Sequence, residues 1–296
     1  MASLKDVKRK IGSVKKTRQI TKAMNMVAAS RLRGSQIRME AFRPYASKFA
    51  QVLGSLAERS GSDASPLLQP RENVKNIHVV LCTSDRGLCG GFNTSLIEAA
   101  QDFLESKPDK AVSFTLFGKK GRDWARRTKK AFEKVHLGVV GTRFPFSVAS
   151  KSGQSLINDF LGGKYDEVYV IYSRFVSMSR QVPVLQQVLP IPPIAQETDL
   201  GAEGETGQYL AEHICEPSAP ELLAALLPKN VFIQIYSALL ETSTSEQAAR
   251  MMAMDNATKA CNDMLDQLTL AYNKARQSAI TTELMDIVGG AEALKG

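Results

Sequence analysis

Cysteine and histidine are the side chains best suited to bind metals or act as nucleophiles, and this 296-residue chain contains four cysteines and three histidines. The cysteines lack the Cys-x-x-Cys spacing of a zinc site and have no histidine cluster beside them. The histidines are scattered among strand-like and loop-like segments. We therefore interpret all seven as packing residues rather than metal ligands or disulfide partners. They are Cys82, Cys89, Cys215 and Cys261, with His78, His136 and His213.

A glycine-rich segment, SDRGLCGGFN at 84–93, is the other candidate for chemistry. It follows a strand-like run and precedes a helical one, a position at which backbone N–H groups can bind phosphate. Its spacing matches neither Gly-x-Gly-x-x-Gly nor the P-loop pattern, so a nucleotide site is disfavoured. The middle of the chain offers no convincing constellation of general acid, general base or metal ligands, which also disfavours a dehydrogenase-like enzyme.

The net charge of +8 is concentrated at the amino-terminal end. Residues 1–60 contain fourteen Lys and Arg against three acidic residues, a net charge of +11, whereas residues 218–296 contain six against nine, a net charge of −3. A basic helix attracts phosphates, so a nucleic-acid-binding coiled-coil protein with an α/β domain is an alternative. Aromatic residues that could stack on bases are absent before Phe42, which weakens that alternative.

The middle of the chain alternates strand-like and helix-like segments. Short β-rich apolar runs are bounded by Gly, Pro or Asp, and amphipathic segments lie between them. This alternation predicts an α/β domain over residues 74–194 with a mainly parallel, Rossmann-like sheet. Prolines in the last run suit a strand at the edge of the sheet. The predicted strands are 77–85, 112–118, 166–175 and 181–191.

The amino-terminal region has the apolar spacing of one long helix. No proline precedes Pro44, so we expect a helix over residues 1–59, with a bend or break near Arg43 and Pro44. Residues 60–73 have the composition of a linker. The apolar residues that we expect on the packing face of the helix are Val7, Ile11, Val14, Ile20, Met24 and Val27.

The carboxyl-terminal region, residues 218–296, follows an acidic segment at 195–217 that we expect to be a mobile loop. After a short helix we expect a break at Pro228, and then one helix from about Asn230 to Val288. Spacings of three and four residues within it predict a heptad seam. The seam residues would be Met254, Ala257, Cys261, Met264, Leu268, Ala271, Ala275 and Ser278.

Two long helices with narrow apolar stripes need a partner to pack against. We expect them to pack on one another as an antiparallel coiled coil, and their opposite net charges favour that pairing. Separate docking of each helix on other proteins is the alternative. The carboxyl-terminal helix would extend beyond the amino-terminal one, and its apolar end, with Ile280, Leu284, Ile287 and Val288, implies a surrounding sleeve.

The sequence also suggests where the protein is found. No apolar run approaches the roughly 20 residues that span a bilayer, and the start, MASLKDVKRK, lacks the apolar segment of a secretory signal. We therefore expect a protein that is made and kept in the cytoplasm.

Three segments resemble the γ subunit of the F-type ATP synthase, of the bacterial type. They are KRKIGSVKKTRQITKAMNMVAASRLR at 8–33, SDRGLCGGFN at 84–93 and LTLAYNKARQSAITTELMDIVGGA at 268–291, in the order found in that family. The resemblance implies a single-copy rotor shaft with no active site or cofactor of its own. Its partners would be three α and three β subunits, ε and the membrane c ring, at the cytoplasmic face of the cell inner membrane. It would couple proton flow to ATP synthesis or hydrolysis and regulate ATPase activity.

The resemblance also implies roles for individual residues. One set would contact the β subunit and transmit torque, although Met24 could instead be a seam residue, and Arg250 could lie with Glu246 on a solvated helix face. A second set would form a foot facing the c ring or ε. The torque set is Lys22, Met24, Arg31, Arg250, Arg276, Gln277, Thr281 and Glu283. The foot set is Arg86, Gly87, Leu88, Cys89, Gly90, Gly91 and Asn93.

Overall fold

The computed structural model describes residues 4–60, 65–192 and 218–293. The predicted loop at 195–217, with His213 and Cys215, lies outside these residues, as does part of the predicted linker. The described elements, in chain order, are α1 (Leu4–Ser60), β1 (Asn76–Cys82), α2 (Phe92–Ser106), β2 (Ala111–Phe117), α3 (Lys119–Arg127), β3 (Phe132–His136), α4 (Phe146–Leu161), β4 (Glu167–Phe175), β5 (Gln181–Leu189) and α5 (Ala219–Ala293).

The chain divides into two compact units. The first, here called the coiled-coil unit, comprises Met1–Ala29 and Arg250–Gly296. The second, the sheet unit, comprises Ser30–Ala249. Helices α1 and α5 each contribute residues to both.

The sheet unit contains five strands in the order β3-β2-β1-β4-β5. All neighbouring pairs are parallel except β4 with β5, which is antiparallel. The predicted mainly parallel sheet is therefore confirmed, and β5, which contains Pro183, lies at an edge as its prolines indicated. The short strand β3 was missed because it lies at the other edge and its sequence, FEKVH, has no continuous apolar run.

The two faces of the sheet belong to separate cores, because successive side chains along a strand point to opposite faces. On one face, Val80 and Cys82 of β1 belong to a cluster that also contains buried side chains from α1, α4 and α5. On the other face, Val79 and Leu81 pack in a cluster with α2 and with Trp124 of α3. The central strands are thus covered on both sides, as expected of a parallel sheet.

Helix α5 continues through Pro228, so the expected break there was wrong. A proline in a helix interior costs about 3 kcal/mol. However, Leu223, Leu227 and Val231 around it are fully buried, and each such side chain stabilises the fold by about 1.5–3 kcal/mol. Packing therefore outweighs the local cost. Helix α1 likewise continues through Pro44 without a break.

Helix α5 also contains an 18-residue window with a mean hydropathy of 1.4 and few charges, a length and composition that could cross a membrane. The expectation that no apolar run approaches that length was therefore wrong. The window is 44% buried within the protein, and the first part of α5 supplies seven side chains to one core cluster. Its apolar composition is that of a core helix, because it packs against the sheet unit.

Candidate functional site

Three side-chain contacts define how α1 and α5 pair in the coiled-coil unit. Arg18 donates to Asn262 Oδ1 at 3.2 Å, and the Thr21 and Thr258 hydroxyls are 2.8 Å apart. Asn25 donates its side-chain amide to the Met251 carbonyl at 2.9 Å. Residue numbers rise along α1 as they fall along α5, so the pair is antiparallel, as predicted.

The seam on α1 differs from the expected one. Val7, Ile11, Val14 and Met24 are half-buried as expected, but Ile20 and Val27 are 59% and 53% exposed. The inward positions in this part of α1 are instead Arg18, Thr21, Asn25 and Ala28. The polar residues satisfy their hydrogen bonds within the seam, which leaves an apolar stripe on the outer surface.

The predicted seam on α5 was right in part. Met254, Ala257, Cys261, Leu268 and Ala275 are buried or half-buried as predicted, but Met264, Ala271 and Ser278 are exposed. In place of these three, the residue that faces inward is in each case the next one along the chain: Leu265, Tyr272 and Ala279. The inward residues include Met251, Met254, Ala257, Thr258, Cys261, Leu265, Leu268, Tyr272, Ala275 and Ala279.

The last described turns of α5 have no partner in α1. The contacts above pair residues whose numbers sum to between 276 and 280, so Leu4 lies level with about residue 275. From Ile280 to residue 291 every residue is exposed, including Leu284, Ile287 and Val288. The end of α5 is therefore an unpaired helix with an exposed apolar surface, which indicates a partner molecule.

The predicted torque residues do not share one environment. Lys22, Arg31, Arg276, Gln277, Thr281 and Glu283 are exposed, and Met24 is half-buried. Thr281 uses its hydroxyl within the helix, donating to the Gln277 carbonyl at 2.9 Å. Arg250 is 8% exposed and interacts within the chain, so it does not lie on a solvated face.

The glycine-rich loop at 84–93 folds back on itself at the carboxyl end of β1. Asn93 closes it: its Oδ1 accepts the Ser84 N–H at 3.0 Å and its amide donates to Cys89 Sγ at 3.1 Å. Leu88 and Gly90 have left-handed backbones, with φ of 63° and 57°. Leu88 is nevertheless 61% exposed and Arg86 is also exposed. An exposed leucine in a strained conformation indicates a contact surface rather than a packing residue.

Contacts that the sequence did not predict lie where the loops meet α5, and Glu246 there is 2% exposed rather than on a solvated face. Asp85 accepts N–H groups from Lys119 and Gly138, and a buried polar run, 242–247, hydrogen-bonds to β4 and to Gly141. The sequence did contain a signal for this run, since TSTSEQ interrupts a helix that is otherwise rich in apolar residues. No group of three or more His, Cys, Asp or Glu that could hold a metal occurs among the described residues.

Comparisons with known proteins match the chain from end to end. A family model described as ATP synthase matches residues 3–294. The ATP synthase gamma chain of Desulfosudis oleivorans is 66% identical over 299 residues, covering all of both chains. The gamma chain of Syntrophobacter fumaroxidans is 52% identical, also over all of both chains.

Solved structures agree with this. A central stalk and c-ring structure of the Tetrahymena thermophila mitochondrial ATP synthase matches with a TM-score of 0.62 and 26% identity, over 80% of this chain and 99% of that one. A rotor structure from the Euglena gracilis mitochondrial ATP synthase matches with a TM-score of 0.65 over 94% of this chain and 98% of that one. Its identity of 20% makes it a likeness of fold alone.

Proposed function

The chain belongs to the ATP synthase gamma chain family, and from that premise we propose that it is the central rotor shaft of an F-type ATP synthase. It turns within the ring of α and β subunits and connects that ring to the membrane c ring together with ε. Ion flow through the membrane thereby drives ATP synthesis, and ATP hydrolysis drives the reverse. The nucleic-acid-binding alternative is not supported, because the relatives matched over the whole chain are gamma chains.

The observation that carries this function is the apolar surface that the coiled-coil unit leaves exposed. Its seam contains the polar residues Arg18, Thr21 and Asn25, whereas Ile20, Val27 and the unpaired end of α5 expose apolar side chains. A helix pair built in this way needs a surrounding apolar sleeve. Its two helices differ in length and charge, so it presents a different face to each of three surrounding sites. Switching one site from 1:99 to 99:1 needs about 5.5 kcal/mol of differential interaction, which a few such contacts supply.

The chain is a subunit of the complex, and we infer that it has no catalytic activity of its own. The purified chain is expected to hydrolyse no ATP, whereas the chain combined with α and β subunits is expected to do so. A phosphate-release assay on both preparations tests this. Appreciable turnover by the chain alone, retained after a further purification step, would contradict the inference.

As part of the complex the protein is membrane-associated, and we infer that it lies at the cytoplasmic face of the cell inner membrane. Co-purification from the host tests both this location and the identity of the partner subunits. A tagged chain is expected to bring α and β subunits in threefold excess, with ε and the c subunit. Recovery with nucleic acid, and without those subunits, would reverse the conclusion.

We propose that the exposed torque residues, together with the half-buried Met24, act at the β subunit, and Met24 offers a direct test. Met24→Lys adds a charge at a half-buried position on α1, and it is expected to reduce ion transport per ATP hydrolysed more than hydrolysis itself. The matched control is Leu161→Lys, an exposed apolar residue on α4, which should change neither. Equal losses of transport and hydrolysis in Met24→Lys would argue against the role.

We also propose that the loop at 84–93 forms the foot that contacts the c ring or ε. The support for this placement is that Leu88 and Arg86 are both exposed, on a loop that Asn93 holds closed. A photo-crosslinking residue at position 88 in the assembled complex should give adducts with the c subunit or ε. Adducts with β instead would overturn this placement.

A further inference from the structure

The run of α5 from Thr242 to Gln247, here called the polar segment, is buried on every side. All six of its residues, TSTSEQ, are buried. Burying polar groups is costly unless each finds a hydrogen-bond partner, so such a run survives in a core helix only where its surroundings supply partners.

One side of the polar segment is bonded to the end of β4. The Ser245 hydroxyl donates to the Ser173 carbonyl at 3.0 Å, and Thr242 Oγ1 accepts the Ser173 N–H at 3.4 Å. Just before the segment, Glu241 Oε2 accepts the Phe175 N–H at 2.7 Å. Glu241 also forms an ion pair with Arg43 of α1 at 3.0 Å.

The other side is bonded to the loop after β3. The Gly141 N–H donates to Ser243 Oγ at 3.1 Å, and Gln247 Nε2 donates to the Gly141 carbonyl at 3.3 Å. Gly141 has a φ of 79°, and a Cβ at this position would overlap Glu246 Oε2. Only glycine allows the loop to approach the helix this closely.

The same loop is tied to its neighbours at the carboxyl edge of the sheet. One Asp85 carboxylate oxygen accepts the Lys119 N–H at 2.9 Å, and the other accepts the Gly138 N–H at 2.7 Å. Asp85 thus connects the loops that follow β1, β2 and β3. Through Gly141 these loops are also connected to α5.

The two sets of bonds hold α5 against rolling about its own axis. Residues on an α-helix are separated by 100° of rotation, so Thr242 and Ser245 lie about 150° around the axis from Ser243 and Gln247. Apolar contacts are non-directional and tolerate sliding, but a helix bonded on two nearly opposite sides cannot roll without breaking one set.

We propose that the polar segment and Gly141 form the joint through which the sheet and α5 turn together. This inference rests on the proposed rotor function. The joint residues act by positioning α5, so that rotation applied to the sheet is passed to the helix rather than lost in slippage between them.

The test uses the complete ATP synthase in vesicles, with ion pumping and ATP hydrolysis measured on the same preparation. The joint variant is Ser243→Ala with Gln247→Met, which removes both bonds to Gly141 and keeps similar volumes. The control is Ser35→Ala with Gln36→Met, the same exchanges on α1, where each side chain bonds only within its own helix.

The joint variant is expected to hydrolyse ATP at the wild-type rate but to pump about threefold fewer ions per ATP, because two directional bonds are lost. The control variant is expected to match the wild type in both activities. An unchanged pumping ratio in the joint variant, or a fall of the same size in the control, would overturn the proposal. Should the double variant fail to assemble, Ser243→Ala alone is measured against the same criteria.

Failure of the joint and failure of the rotor function give different results. If the chain were not the rotor, a complex of the other subunits assembled without it would pump ions at the same rate as the complete complex. If only the joint is wrong, complex lacking the chain pumps nothing, whereas the joint variant pumps normally.

Discussion

His78 is a buried base whose ionisation is set by its surroundings. It is 1% exposed, with Nδ1 2.7 Å from Ser113 Oγ and Nε2 2.9 Å from Thr115 Oγ1. Burial lowers the pKa of His78 from 6.5 to about 4, while Glu133 raises it and Lys164 and Lys134 lower it. These contacts agree with the expectation that His78 is a packing residue.

This pKa predicts acid sensitivity of the fold. Between pH 6.5 and about 4 the unfolded chain binds a proton at His78 that the folded chain excludes. The free energy of unfolding should therefore fall as pH falls through this window, by about 3 kcal/mol in total from this group. Denaturant unfolding at several pH values, compared with His78→Gln, measures the contribution. Equal pH dependence in the two proteins would show that the pKa of His78 is the same in the folded and the unfolded chain, which would contradict the prediction.

Two glycines in one loop allow a matched prediction. Gly138 and Gly141 both have positive φ, but a Cβ meets no atom within 4 Å at Gly138 and overlaps Glu246 at Gly141. Gly138→Ala should cost about 1 kcal/mol from backbone strain. Gly141→Ala should lower the free energy of unfolding by about 1–3 kcal/mol more than Gly138→Ala does, because Glu246 must move. Thermal unfolding of the isolated chain tests the order, and equal costs would contradict the close approach.

At the scale of elements, apolar spacing predicted both long helices and their antiparallel pairing but only part of the seam. Spacing identifies a stripe on a helix without identifying what covers it. On α1 the strongest stripe, with Ile20 and Val27, faces away from α5, and a weaker polar stripe with Thr21 forms the seam. Spacing alone cannot separate these stripes, because it does not show that Thr21 finds Thr258 as a partner while Ile20 and Val27 stay exposed in the single chain.

The assignment of the seam predicts losses of stability of very different size for two similar substitutions. Leu265→Ser places a hydroxyl at a seam position that is 7% exposed and should cost about 2–5 kcal/mol in the isolated chain. Ile20→Ser, at an exposed position, should cost no more than about 0.5 kcal/mol. Helix content followed by circular dichroism during heating compares them. If Ile20→Ser destabilised the chain more than Leu265→Ser, the seam expected from apolar spacing would be the correct one.

For the whole molecule, the alternation of patterns was enough to predict a mainly parallel α/β domain between two terminal helices. It was not enough to predict that α5 passes Pro228, because the local cost of a proline is visible in the sequence and the burial of Leu227 and Val231 is not. The joint at Gly141 was missed for the same reason, since it pairs residues 102 and 106 positions apart in the chain.

The unpaired end of α5 predicts how the molecule tolerates shortening. Among the residues after Val288, those at 289–291 are exposed, so we expect their removal with the rest of the terminus to leave the melting temperature of the isolated chain unchanged. Assembly with α and β should weaken only modestly, because the shaft is held along its length. Size-exclusion chromatography of the truncated complex measures this, and complete loss of assembly would contradict it.

The edge strand β5 affects how a single chain behaves before it assembles with its partner subunits. An open sheet edge is a template on which a second chain can add a strand. Pro183 lies in the middle of this edge strand and offers no N–H to an incoming backbone. A newly made chain exposes the apolar end of α5, which is one route to self-association before assembly. Pro183 removes a second route, the addition of strands at the sheet edge.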